Sequence, residues 1–99
     1  MSRIKHMVLF NLKSELSKEQ VNVFFNQSLS ILTKIDGVNN FISFDQISKK
    51  NDFKYGFSME FDSQDSYDYY SNHQMHTDYV KNIWLTNVDT FLEIDCNIK

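Results

Sequence analysis

The sequence predicts an α+β fold in which one four-stranded antiparallel sheet carries its helices on one face. Three observations support this. Four short segments alternate apolar with polar residues or are dense in aromatic and β-branched ones. Two longer segments repeat apolar residues at three- and four-residue steps behind helix-capping patterns. The two kinds of segment follow one another in the order β-α-β-β-α-β.

In the first segment Ile4, His6, Val8, Phe10 and Leu12 share one side of a period-two pattern, and Lys5, Met7, Leu9 and Asn11 the other. Both sides carry apolar residues, as expected of a sheet with helices on one face and a second sheet on the other. Ser17 opens Ser-Lys-Glu-Gln, a capping box in which the Ser hydroxyl and the Gln20 side chain satisfy free amides of the first helical turn. Val21, Phe24, Phe25, Leu29, Ile31, Leu32 and Ile35 then follow helical spacing, and Gly37 can take the left-handed conformation that ends the run. The first helix is expected from about Lys18 to Asp36.

Phe41 to Ile47 reads as a second strand, and Tyr55, Phe57, Met59 and Phe61 alternate with Gly56, Ser58, Glu60 and Asp62 as a third. The polar stretch Ser48 to Asp52 between them suits a hairpin connection. Ser63 supplies a second N-cap with Asp65 in the first turn, opening a helical region from about Gln64 to Trp84. Asn72 to Met75 is its weak stretch, so two helical pieces with a bend near His73 are expected. Phe91 to Ile98 forms the last strand. This is the ferredoxin-like arrangement, and its second sheet face needs a cover.

At 99 residues, 41% hydrophobic and 23% charged, the chain fits one domain over residues 1–99. Nine Phe, five Tyr and one Trp are a heavy apolar load for that length, so part of it is expected against a partner. A net charge of −3 without a Lys/Arg block argues against nucleic acid. No run approaches the roughly 18 apolar residues of a membrane span, and the first segment alternates where a signal peptide would be continuously apolar. A cytoplasmic location without membrane contact is the resulting expectation. Cys96, alone and near the C-terminus, is read as a packing residue.

The chemistry-bearing residues are His6, Tyr70, His73 and His76. His6 lies on one face of the first strand, and the other three are spaced by three residues, along one side of a helix. Asp95 on the last strand can add a carboxylate that fixes which ring nitrogen of an imidazole is free. A neutral imidazole can take a proton near pH 7 and a phenol can hydrogen-bond an enolate or carbonyl oxygen, so proton abstraction beside a carbonyl is the matching reaction class. The plain alternative is that the imidazoles bond backbone or solvent and the tyrosines fill the core. A metal set of His6, His73 and His76 has the right spacing in part, but no His-Glu-x-x-His or cysteine pair accompanies it, and no metal or cofactor is expected.

Four segments carry a resemblance: Ile-Lys-His-Met-Val-Leu-Phe at 4–10, Ile-Asp-Gly-Val at 35–38, Tyr-Gly-Phe-Ser-Met-Glu-Phe-Asp-Ser at 55–63, and Tyr-x-x-His-x-x-His at 70–76. In these the chain resembles the stress-responsive A/B barrel (Dabb) domain family. The resemblance implies a ferredoxin-like protomer that forms a homodimer through its sheet, making a dimeric α/β barrel and supplying the missing cover. The family includes stress-induced plant proteins and a polyketide cyclase that closes a linear polyketide by aldol condensation, with a His as base and a Tyr on the substrate oxygen. By motif those roles fall on His76 and Tyr70, with His6 lining the pocket and Asp95 orienting His76. The chain departs from the family in lacking proline: Gln74 and Asp36 stand where Pro is common.

The expected function is therefore binding of a small apolar or aromatic molecule between sheet and helices, with His/Tyr proton-transfer chemistry of the cyclase type. Val8, Phe10, Phe24, Phe25, Phe57, Met59 and His73 are expected beside His6 in the pocket. The alternatives are a non-catalytic, stress-protective or ligand-carrying dimer and, behind it, a cofactor-free monooxygenase-like barrel enzyme.

Overall fold

The computed structural model describes residues 3–99. β1 (Arg3–Leu12), α1 (Lys18–Leu32), β2 (Asn39–Asp45) and β3 (Tyr55–Phe61) follow in that order. α2 (Gln64–Asn72) and α3 (Gln74–Tyr79) come next, and α3 runs through a π-helical turn (Val80–Trp84) into α4 (Leu85–Asn87) and β4 (Val88–Ile98). The strands form one sheet in the order β2-β3-β1-β4, every neighbouring pair antiparallel. This is the expected ferredoxin-like topology, with β1 and β3 in the middle.

Local chemistry explains the element ends. Ser17 accepts from the Gln20 amide at 3.1 Å while the Gln20 side chain accepts from the Ser17 amide at 2.8 Å, the reciprocal capping box. α1 stops four residues before the expected end. Thr33 turns its hydroxyl back to the Leu29 carbonyl at 2.6 Å, and tighter turns then lead to Gly37 at φ +99°. β4 begins at Val88 rather than Phe91, because the pairing continues past a register shift between Asn11 and Leu12 to set Leu12 opposite Val88.

Register decides which side chains share a face. Val8 stands opposite Phe57 on β3 and Glu93 on β4, and His6 opposite Met59 and Asp95. Cross-strand partners point the same way, so these side chains lie together under the helices. There Phe10, Phe24, Phe57 and Trp84 form the core, with Phe10 centred 4.9 Å from Phe57 and 5.0 Å from Trp84. The opposite face holds Met7, Leu9, Ile42, Phe44, Leu92 and Ile94 with no helix over it. Among the described residues no helix is long and apolar enough to cross a membrane.

Candidate functional site

The β1–β4 pairing places His6 and Asp95 side by side. His6 Nδ1 lies 2.6 Å from Asp95 Oδ1, and the Tyr67 hydroxyl donates to Asp95 Oδ2 at 2.9 Å while lying 3.1 Å from His6 Nδ1. A carboxylate has only acceptors to offer, so Nδ1 carries the hydrogen and Nε2 keeps the free edge of the ring. Burial, reinforced by the hydrogen bond to Asp95 and by neighbouring carboxylates, pushes the Tyr67 phenol well above its ordinary range, so it stays a donor.

The break at His73 brings in the second imidazole. His73 has extended backbone (φ −65°, ψ 139°), and its Nδ1 accepts from the Met75 amide at 3.0 Å, making it the N-cap of α3. α3 then starts in a new direction, and His76 packs on Tyr70 with ring centroids 4.5 Å apart. His76 Nδ1 lies 3.0 Å from the Ser71 carbonyl oxygen, which can only accept, so here too Nε2 has the lone pair. Burial lowers the His76 pKa from its ordinary value, partly opposed by the Ser71 bond. The ring is neutral near pH 7.

Tyr70 is 2% exposed, and among the described residues nothing hydrogen-bonds its hydroxyl. No fully buried side-chain nitrogen or oxygen among them is left without a partner, so the Tyr70 hydroxyl must touch open space. Tyr70 also lines a cavity of about 70 Å³ walled by Val8, Leu32, Phe57, Met59 and Trp84 and edged by His6, His76 and Glu93. Burial holds the Tyr70 phenol far above its usual pKa, so it faces the cavity protonated.

Of the residues expected at the site, His6, Val8, Phe57, Met59, Tyr70 and His76 line this cavity. Asp95 does not orient His76: strand register commits it to His6, and the Ser71 carbonyl fills that place on His76. Phe10, Phe24 and Phe25 do not line it either, because they close on one another and on Tyr55 in the ring cluster. His73 is the α3 cap, with its ring edge-on to Tyr69 at 5.4 Å. Among the described residues no three His, Cys, Asp or Glu side chains are grouped to hold a metal ion. Tyr67, Glu93 and Trp84 are site residues that sequence reasoning missed. In the sequence Tyr67 and Trp84 are marked only by being aromatic. Glu93 could have been found from the alternation of β4, which puts it two residues from Asp95 on the same face.

The model of the stress responsive A/B barrel domain family matches residues 4–98. A Dabb family protein with a ferredoxin-like fold from Mesorhizobium loti MAFF303099 is 38% identical and superposes with a TM-score of 0.92, over 97% of this chain and 96% of that one. A dimeric protein of unknown function from Bacteroides fragilis NCTC 9343 is 21% identical, with a TM-score of 0.73 over 97% and 96% of the two chains. The hydroxynitrile lyase from Passiflora edulis is 12% identical, with a TM-score of 0.87 over 98% and 94%. At the last two identities the likeness is one of fold. No curated protein matches the chain in sequence.

Proposed function

The chain belongs to the stress-responsive A/B barrel domain family, and from that premise we propose that it binds a small apolar or aromatic carbonyl compound and moves a proton on it. One observation carries the reading: two imidazoles, each with Nδ1 already engaged, and a protonated phenol line one largely apolar-walled cavity. In this reading Tyr70 donates to the substrate oxygen and stabilises charge that develops there. His76, neutral and with Nδ1 held by Ser71, takes a proton from the adjacent carbon through Nε2. His6, fixed by Asp95 and Tyr67, offers the second nitrogen edge. An aldol closure of the cyclase type needs these parts, a base and an oxyanion donor.

The same reading makes the protein a homodimer joined through the open sheet face. Ile42, Leu92 and Ile94 on that face are 52%, 48% and 37% exposed, an apolar surface with no helix to cover it. The similar protein from Bacteroides fragilis is dimeric. A dimer mass by light scattering at micromolar concentration is expected, and a monomer mass would remove the barrel.

The test of chemistry is turnover of β-keto esters by the wild type, His76→Ala and Tyr70→Phe. The hydroxynitrile lyase with this fold makes a cyanohydrin a second substrate to try. Loss of a general base should lower the rate by roughly 10²–10⁴-fold. A His76→Ala protein at the wild-type rate would end the base assignment. The non-catalytic, ligand-carrying reading has its own support in the cavity's size, about 70 Å³, against the roughly 300–1,000 Å³ of usual ligand pockets. Binding without turnover would favour it. No specific observation favours the monooxygenase-like alternative.

A further inference from the structure

β4 brings two carboxylates to the helix side of the sheet, and they are in different situations. Asp95 has its oxygens engaged by His6 and Tyr67. Glu93, opposite Val8 in the β1–β4 register, borders the cavity with its side chain exposed, and among the described residues it has neither a hydrogen bond nor an ion pair. None of the residues lining the cavity is Lys or Arg. The walls beside Glu93 are apolar or aromatic, so its charge, screened by water on the outer side, still acts on whatever enters at this rim.

From this placement we infer that Glu93 makes the cavity charge-selective: it admits neutral and cationic carbonyl compounds and rejects carboxylates. The inference rests on the reading of the cavity as a ligand site. A carboxylate entering the cavity comes against the unpaired Glu93 charge and finds no Lys or Arg to offset it. An amide or ester of the same shape meets no such repulsion, and an ammonium group gains an attractive partner at the rim. Glu93 adds the smallest of the named effects, toward the protonated forms of both Tyr70 and His76, behind burial in each case.

Acetoacetamide and acetoacetate form a matched pair of probes, alike in size and in their ketone and differing in charge. Their affinities can be measured by NMR titration of the wild type, Glu93→Gln and Glu15→Gln. Glu15, exposed and outside the cavity lining, changes the net charge by the same amount as Glu93. The wild type and Glu15→Gln are expected to prefer the amide by roughly tenfold, the scale of a like-charge contact screened mostly by water. Glu93→Gln should bring the two probes to within about twofold, and added salt should narrow the wild-type gap. Equal binding of both probes by the wild type, or a gap unchanged in Glu93→Gln, overturns the inference while leaving the ligand site standing. A gap that Glu15→Gln narrows equally assigns the effect to net charge and overturns it too. If neither probe binds, the reading of the cavity itself falls, and the inference with it.

Discussion

His6 and Asp95 stand 89 positions apart in sequence and 2.6 Å apart in the fold. Strand register makes this pair, and the pair fixes which ring nitrogen of His6, a residue of the cavity lining, is engaged. Removing the carboxylate by Asp95→Ala leaves His6 Nδ1 and the Tyr67 hydroxyl without their shared acceptor. The Asp95 side chain is 46% exposed, so water can replace part of the loss and the destabilisation should be near the low end of about 1–3 kcal/mol. Urea unfolding measures it, and the ring signals of His6 should show the loss of the single fixed tautomer.

His76 gives a stability dependence on pH. Its pKa is lowered by burial below the ordinary 6.5, so on acidification the unfolded chain takes up the proton first. Stability is fully present above about 6.5 and falls as pH drops from there toward the lowered folded value. Denaturant midpoints between pH 7.5 and roughly 5 should decline in the wild type, with that part of the decline absent in His76→Gln. Catalysis by a His76 base would persist below the ordinary histidine range for the same reason.

The cap at His73 is a structural role open to a direct check. His73→Ala leaves the Met75 amide unpaired and should destabilise by about 1 kcal/mol, whereas His73→Asn should recover most of it. Equal stability of all three proteins by urea melts would show that the ring does not cap α3. Ligand affinity should change little in the Asn variant, because His73 lies outside the cavity lining.

Ser28 and Tyr79 form a buried hydroxyl pair at 2.6 Å, and the Ser28 hydroxyl also donates to the Phe24 carbonyl at 2.7 Å. The two single variants should therefore differ. Tyr79→Phe keeps Ser28 satisfied by Phe24 and should cost about 1 kcal/mol, while Ser28→Ala strands a buried phenol and should cost about 1–3 kcal/mol. In the double variant the loss should be smaller than the sum of the two, a coupling that a double-mutant cycle reads.

What was legible in the sequence was local. The Ser17/Gln20 box, the left-handed Gly37 and the weak stretch at His73 each involve neighbours in the chain, and each is where its residues suggested. The alternation of β1 likewise put His6 on one face with Val8 and Phe10, though both faces are apolar enough that it did not say which one the helices cover. The partner of Asp95 was not legible, because it depends on which residue of β4 falls opposite His6, a register set by the whole sheet. Nor can periodicity distinguish an aromatic ring that fills the core from one that borders a space. Phe10 and Phe24 share spacing with Val8 and Leu32, yet the first two are packed on all sides and the others wall the cavity.

The measurement closest to the central claim is a titration of the folded protein with a neutral β-keto amide or ester, followed on the imidazole signals of His6, His73 and His76. Saturable shifts at His6 and His76, with His73 still and both shifts abolished in a Tyr70→Phe protein that remains folded, are the predicted result. Signals of His6 and His76 that stay fixed at millimolar ligand, or that move no more than His73, would contradict a binding site between these rings.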